Sequence, residues 1–248
     1  MCYHYSIAKT ANEIADRYKI TPRPPQFNHD PVCYHTNGFN HDLLPAVYKD
    51  NKSGDLNLEL MQWGLVPAWV KGEGKAQKIR SGTLNARSET ADSKPSFRAA
   101  FSYRPCLVAA TGYFEWMHKS TEKIPFFIFI PDMPVFSFAG IWEEWVNEQT
   151  GEILRSFSIL TCEANSLAAK IHNTKKRMPV ILGADNENEW LENKPDKSGR
   201  KDFLKPFDSA AMDSYSISKL ITDKNHNSNV PEVLEAVRYP ELNQNENA

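Results

Sequence analysis

The chain has 248 residues, 41% of them hydrophobic, which is enough to bury a full core in one large domain. Its 29 basic residues nearly balance 31 acidic ones, so a net charge of −2 selects no class of partner by itself. The longest apolar run, residues 126–130, is too short to cross a membrane, and the first residues lack the basic-then-apolar layout of a secretory signal; a cytosolic protein is expected.

The chain opens Met1-Cys2-Tyr3. Initiator methionine is removed when the second residue is small, which would leave Cys2 with a free α-amine and a thiol. The reference pKa values are about 8 and about 8.5, so both groups are partly nucleophilic near neutrality. An aldehyde meeting this pair can form an imine with the amine and then close a thiazolidine with the thiol. The plain alternative is that Cys2 merely follows the initiator.

Thr10 and Glu13 form a capping-box pattern that predicts a helix over 10–18. The prolines in 21–25 predict extended chain. Strands are predicted over 58–63, over 106–114 (ending against Glu115) and over 156–161. The runs 126–130 and 135–142 flank Pro131-Asp132-Met133-Pro134 and predict a hairpin. Residues 163–171 read as helix, as do the short stretches 185–191, 215–221 and 231–237. The sum is a single α+β domain over 1–240, with an antiparallel, barrel-like β core and short peripheral helices. A polar tail follows over 241–248, fraying from 243. Nothing suggests an obligate assembly, so a monomer is expected.

The other cysteines, Cys33, Cys106 and Cys162, lie far from Cys2 and from one another, with no CxxC or Cys/His spacing. Neither a metal site, a disulfide framework nor a cofactor is expected. Between Lys71 and Arg104 eight basic residues face three acidic ones, and Lys170, Lys175, Lys176 and Arg177 form a second basic group. Brought together, these make a positive groove able to hold phosphates; left apart, they are a solvated face.

Three further segments carry chemistry-bearing residues. Asn85-Ala86-Arg87-Ser88-Glu89-Thr90 offers an amide to orient an amine and an arginine to grip phosphate. Gly112-Tyr113-Phe114-Glu115-Trp116 places an acid among aromatics, where apolar walls raise a carboxyl pKa. Ile171-His172-Asn173 supplies a histidine suited to proton transfer, followed by Arg177-Met178-Pro179. Each has a structural reading as well: a polar loop, an edge-strand glutamate and a packed histidine.

In their order along the chain, Cys2, NARSET, GYFEW, and IH followed by RMPVIL resemble the SOS response associated peptidase family. Trp63-Gly64-Leu65-Val66-Pro67-Ala68-Trp69 resembles that family's WGLIPxW motif. The resemblance covers Cys2 to about Leu182. It implies an α+β protein that senses abasic sites in single-stranded DNA and crosslinks to them through Cys2 after removing its own Met1. Asn85 would position the amine, and Glu115 and His172 would move protons. Arg87, Arg177 and Ser88 would contact DNA, and Trp63 would wall the groove.

Three departures stand out. Tyr3 and His4 replace the glycine and arginine of the family's CGR start, which is expected to change the pocket rim and remove one phosphate contact. The link between His172 and Arg177 is expanded to Asn173-Thr174-Lys175-Lys176. Residues 34–45 resemble the family's asparagine-proline loop only loosely, so no site is assigned there. Two alternatives remain open: a cysteine peptidase or self-processing amidohydrolase using Cys2, His172 and Glu115, or a noncovalent single-strand binding module in which Cys2 is incidental.

Overall fold

The computed structural model describes residues 2–21, 32–192, 197–223 and 225–245. Its strands are β1 (His4–Ile7), β2 (Cys33–Asn37), β3 (Leu43–Lys49), β4 (Leu56–Trp63), β5 (Asn85–Arg87), β6 (Pro105–Ala110) and β7 (Gly112–Lys119). They continue as β8 (Glu122–Phe129), β9 (Phe136–Val146), β10 (Ile153–Glu163), β11 (Arg177–Pro179), β12 (Ile181–Leu182) and β13 (Asp213–Ser216). The helices are short: α1 (Ala11–Arg17), α2 (Glu73–Arg80), α3 (Arg98–Tyr103), α4 (Ser166–Ile171), α5 (Ala184–Leu191) and α6 (Lys197–Lys201).

Five strands close on themselves. β10 pairs with β4, β4 with β3, β3 with β6, β6 with β9, and β9 returns to β10, so the ring has no free edge. The expected antiparallel barrel is therefore present with one parallel closure, Phe157 against Trp63 in the β4–β10 pair. β5 also runs parallel to β10, and β11 and β12 extend the ring's sheet from β10 and β9. A second sheet, in the order β13-β8-β7-β1-β2, packs outside. The core is aromatic: Trp63 stacks on Phe157, and Tyr5 meets Trp63 and Phe138 edge-on.

The capping box forms as predicted, with Thr10 accepting from the Glu13 N–H and Glu13 accepting from the Thr10 N–H. The proline-rich stretch falls almost wholly outside the described residues. The predicted strand over 106–114 is in fact two, β6 in the barrel and β7 in the outer sheet. The chain turns at Thr111, whose N–H donates to Ser6 O and whose hydroxyl accepts from the Ala8 N–H. Gly112 permits this turn: a Cβ there would press on the Phe127 ring and lie 2.9 Å from the Ile128 carbonyl oxygen.

The predicted hairpin is also corrected. β8 pairs with β7 and β13, while β9 pairs with β6, β10 and β12, so the proline turn passes the chain from one sheet to the other. Residues 215–221 begin as strand, not helix, because Tyr215 pairs with Phe127 on the edge of β8. Only Lys219–Thr222 forms a 3-10 turn, capped by Ser218. Leu242 packs on the core, and Lys119 donates to the Glu241 carbonyl within a final 3-10 turn, Pro240–Asn245. Residues 246–248 lie outside the described residues. Among those described, no helix is long and apolar enough to cross a membrane.

Candidate active site

β10 organises one side of the site. Its parallel pairing with β5 sets Asn85 opposite Ile159 and Arg87 opposite Thr161, and its antiparallel pairing with β11 sets Arg177 opposite Glu163. Side chains alternate along β5. Asn85 and Arg87 therefore share one face while Ala86 enters the core; Asn85 is buried and Arg87 exposed. The other side comes from the outer sheet, where β7 brings Glu115 beside the strand that begins just after Cys2. His172 caps the C-terminal end of α4.

Cys2, Asn85, Glu115 and His172 thus converge from four distant segments, all buried. The Asn85 amide donates to the Cys2 carbonyl at 2.8 Å, which holds its own oxygen close to the start of β1 without a hydrogen-bond partner. Glu115 Oε1 is likewise a buried acceptor without a hydrogen bond. Two unpaired acceptors in one buried site are costly unless something uses them.

Burial pushes the Glu115 carboxyl up to about 8, although the chain's terminal ammonium and the Trp116 backbone N–H pull the other way. It is therefore protonated at neutral pH. Burial, and then the Glu115 charge, push the Cys2 thiol well above its ordinary range; the thiol donates to the His4 carbonyl at 3.5 Å. Burial and then the terminal ammonium lower His172, which is neutral. Its Nδ1–H donates to the Arg177 carbonyl at 3.0 Å, so the lone pair sits on Nε2. The 3.4 Å approach of His172 Nδ1 to Glu115 Oε1 is thus a contact between a neutral ring and a protonated carboxyl, not an ion pair.

Above these groups opens a cleft of about 690 Å³, lined by Tyr3, His4, Arg87, Glu115, Trp116 and His172 among others. Of the two basic groups, Arg87, Lys175 and Arg177 reach it, joined by Lys123. Of the others, Arg80 donates to Gln62, and Arg104 pairs with Glu143. The expanded link is stitched down by Asn173, which accepts from the His118 N–H and donates to the His118 carbonyl. Thr174 and Lys175 then line the cleft, and Arg177 enters β11.

Two expectations need correction. Trp63 does not wall the groove: it is fully buried inside the barrel, its indole N–H donating to the Leu84 carbonyl at 2.8 Å. Ser88 is buried beside β10, its N–H donating to Thr161 O at 2.9 Å, and does not line the cleft. The aromatic wall comes instead from Trp116 and from Tyr3, whose ring lies 5.0 Å from Phe39. Tyr3 and His4 do line the rim, and His118 and Lys123 join it with no sequence signal beyond their alternation along β7 and β8.

His4, half-buried, also pairs with the buried His35. His4 Nδ1 lies 2.9 Å from His35 Nε2, and His35 Nδ1 lies 2.7 Å from the Ser228 hydroxyl. Burial lowers His4 to about 4, and burial with the His4 charge lowers His35 to about 3. The unfolded chain takes up these protons near pH 6.5, which the folded chain resists. Stability is therefore full above that pH and lost as pH falls towards 4. The slope approaches about 1.4 kcal/mol per pH unit for each histidine. Urea unfolding at pH 7 and pH 4.5 measures the difference, and His35→Gln is expected to shrink it.

Comparison with known proteins now adds to this geometry. The family model described as SOS response associated peptidase (SRAP) matches residues 1–224. The chain belongs to that family. It is 32% identical over 238 residues to the abasic site processing protein YoqW of Bacillus subtilis, covering 95% of this chain and all of that one. YoaM of the same organism, also named an abasic site processing protein, is 33% identical over 244 residues, covering 96% and 100%. HMCES of Xenopus tropicalis, named likewise, is 28% identical, covering 78% of this chain and 62% of that one. A crystal structure of a protein from Bacteroides thetaiotaomicron matches with a TM-score of 0.88 at 37% identity, covering 96% and 100%.

Proposed function

We propose that this SRAP chain processes abasic sites, forming a covalent thiazolidine with the ring-opened sugar in single-stranded DNA and shielding the lesion from strand cleavage. The observation that carries the reading is the burial of Cys2 against Asn85 and Glu115, each with an acceptor oxygen lacking a partner. The relatives named abasic site processing proteins support the substrate class.

The proposed chemistry begins when removal of Met1 creates the Cys2 amine. Asn85 Oδ1 accepts a hydrogen bond from that amine and aims its lone pair. His172 Nε2 takes the hydroxyl proton as the closed sugar opens to its aldehyde and passes it to the departing ring oxygen, which becomes the 4′-hydroxyl, leaving His172 neutral again. The neutral amine attacks C1′, and a proton moves from nitrogen to oxygen to give a carbinolamine. Glu115, protonated at neutral pH, gives its proton to the departing hydroxyl, which leaves as water, and an iminium remains. The Glu115 carboxylate then takes the Cys2 thiol proton, and the thiolate closes the five-membered ring. One amine, one thiol and one aldehyde become a thiazolidine and one water, with Glu115 restored. Arg87, Lys123 and Lys175 on the rim suit a phosphate backbone, and Trp116 and Tyr3 suit unpaired bases.

The test is to mix mature protein with a single-stranded oligonucleotide carrying one abasic site and to run the mixture under denaturing conditions. The expected result is a one-to-one adduct absent with undamaged strand. Salt-sensitive binding without an adduct would favour a noncovalent module, and turnover of unrelated peptides lost in Cys2→Ala would favour a peptidase.

A further inference from the structure

Arg177 reaches the cleft, yet its fork is already occupied. Its Nη1 donates to Glu89 Oε1 at 2.5 Å and its Nη2 to Glu89 Oε2 at 3.1 Å, a two-point grip on one carboxylate. Nη2 also donates to the Thr161 carbonyl at 2.6 Å and to its hydroxyl at 3.2 Å, so the guanidinium is fixed from behind by β10. The partners are unequally placed. The Arg177 side chain is 12% exposed and that of Glu89 49%. The cation is largely buried where it lines the cleft, whereas the anion is half exposed to water. A guanidinium fork that fits a carboxylate at two points fits a phosphate the same way.

We propose that Glu89 is a specificity-determining residue that occupies the phosphate subsite of Arg177, so that a DNA phosphate must displace it. The inference rests on the DNA-binding part of the function proposed above. A displaced Glu89 side chain swings into water, where a half-exposed carboxylate is readily rehydrated, and Arg177 exchanges one anion for another. The exchange is nearly neutral for an anion set squarely against the fork and unfavourable for one that merely drifts near it. Arg177 therefore adds little to loose binding of any polyanion and rewards a strand held in register over Cys2. It also brings few condensed counterions into play, because its charge is already compensated.

The experiment measures binding of fluorescein-labelled undamaged single-stranded DNA by anisotropy over a range of salt concentrations, which leaves the covalent step out. Glu89→Gln is expected to tighten binding at least about threefold and to steepen the log–log salt slope by about 0.7, the value of one extra phosphate contact on a single strand. Glu89→Asp, too short to engage both nitrogens, is expected to fall between. In an Arg177→Gln background the same substitutions should gain nothing. Unchanged or weaker binding by both single variants would overturn the proposal, as would a gain that persists without Arg177. A wild-type adduct with abasic DNA alongside no such gain sinks the latch alone; the gain without an adduct sinks the covalent reading alone.

Discussion

Cys2→Ala is expected to lose every adduct that survives denaturation and yet to form one that borohydride can trap. The alanine variant, prepared free of Met1, still presents an α-amine beside Asn85, whose amide binds the residue-2 carbonyl and not its side chain. That amine can condense with the ring-opened aldehyde, but the resulting imine hydrolyses unless a thiol captures it. Unreduced adduct should therefore fall to background, while adduct in the presence of borohydride persists. Wild-type adduct should need no borohydride, since a closed thiazolidine has no C=N bond left to reduce. Protein that still carries Met1 should be inert in both assays, because its residue-2 nitrogen is an amide. If the alanine variant gives as much denaturation-resistant adduct as wild type, the thiol has no part in the chemistry. If neither protein is trapped by borohydride at early times, the imine step fails as well.

What could be read from the sequence divides by how local the cause is. The first helix was legible because Thr10 and Glu13 satisfy each other's backbone three residues apart. The split at Thr111 was not, because it is enforced by Ser6 and Ala8, about a hundred residues away. The proline turn at 131–134 was correctly read as a turn. Whether its flanking strands pair with each other depends on partners elsewhere, and β8 and β9 each found better ones. In the site, Cys2, Asn85, Glu115 and His172 carry chemistry in their residue types, and the structure brings all four together. Trp63 misled because its groove-wall role came only from the family resemblance; only closure of β10 onto β4 puts its ring inside the barrel. The pairing of His4 with His35 and of Arg177 with Glu89 spans 31 and 88 residues, and nothing local announces either.

The second large effect is expected at Glu115. Glu115→Gln keeps the shape of the side chain and removes its proton chemistry, so adduct formation should slow by on the order of 10² to 10⁴-fold. The pH profile separates this from a general loss of fit. In wild type the rate should rise as the Cys2 amine loses its proton and fall as Glu115 loses its own at about 8, giving a maximum close to that value. The glutamine variant should keep only the rising limb. Stability should move in the opposite direction. The folded carboxyl, held at about 8, keeps a proton that the unfolded chain releases near 4.5. Its contribution is therefore favourable below 4.5 and is lost as pH rises towards 8, costing about 1.4 kcal/mol per pH unit and on the order of 3 kcal/mol at pH 7. Glutamine cannot ionise, so the variant should outlast wild type in urea at pH 8 and differ little from it at pH 4.5. A slower variant that is also the less stable one at pH 8 would mean that this carboxyl serves the fold, and its role as the acid of the reaction would have to be given up. The expected combination, slower chemistry with a firmer fold, is the signature of a carboxylic acid buried for the reaction proposed at Cys2 and not for the fold.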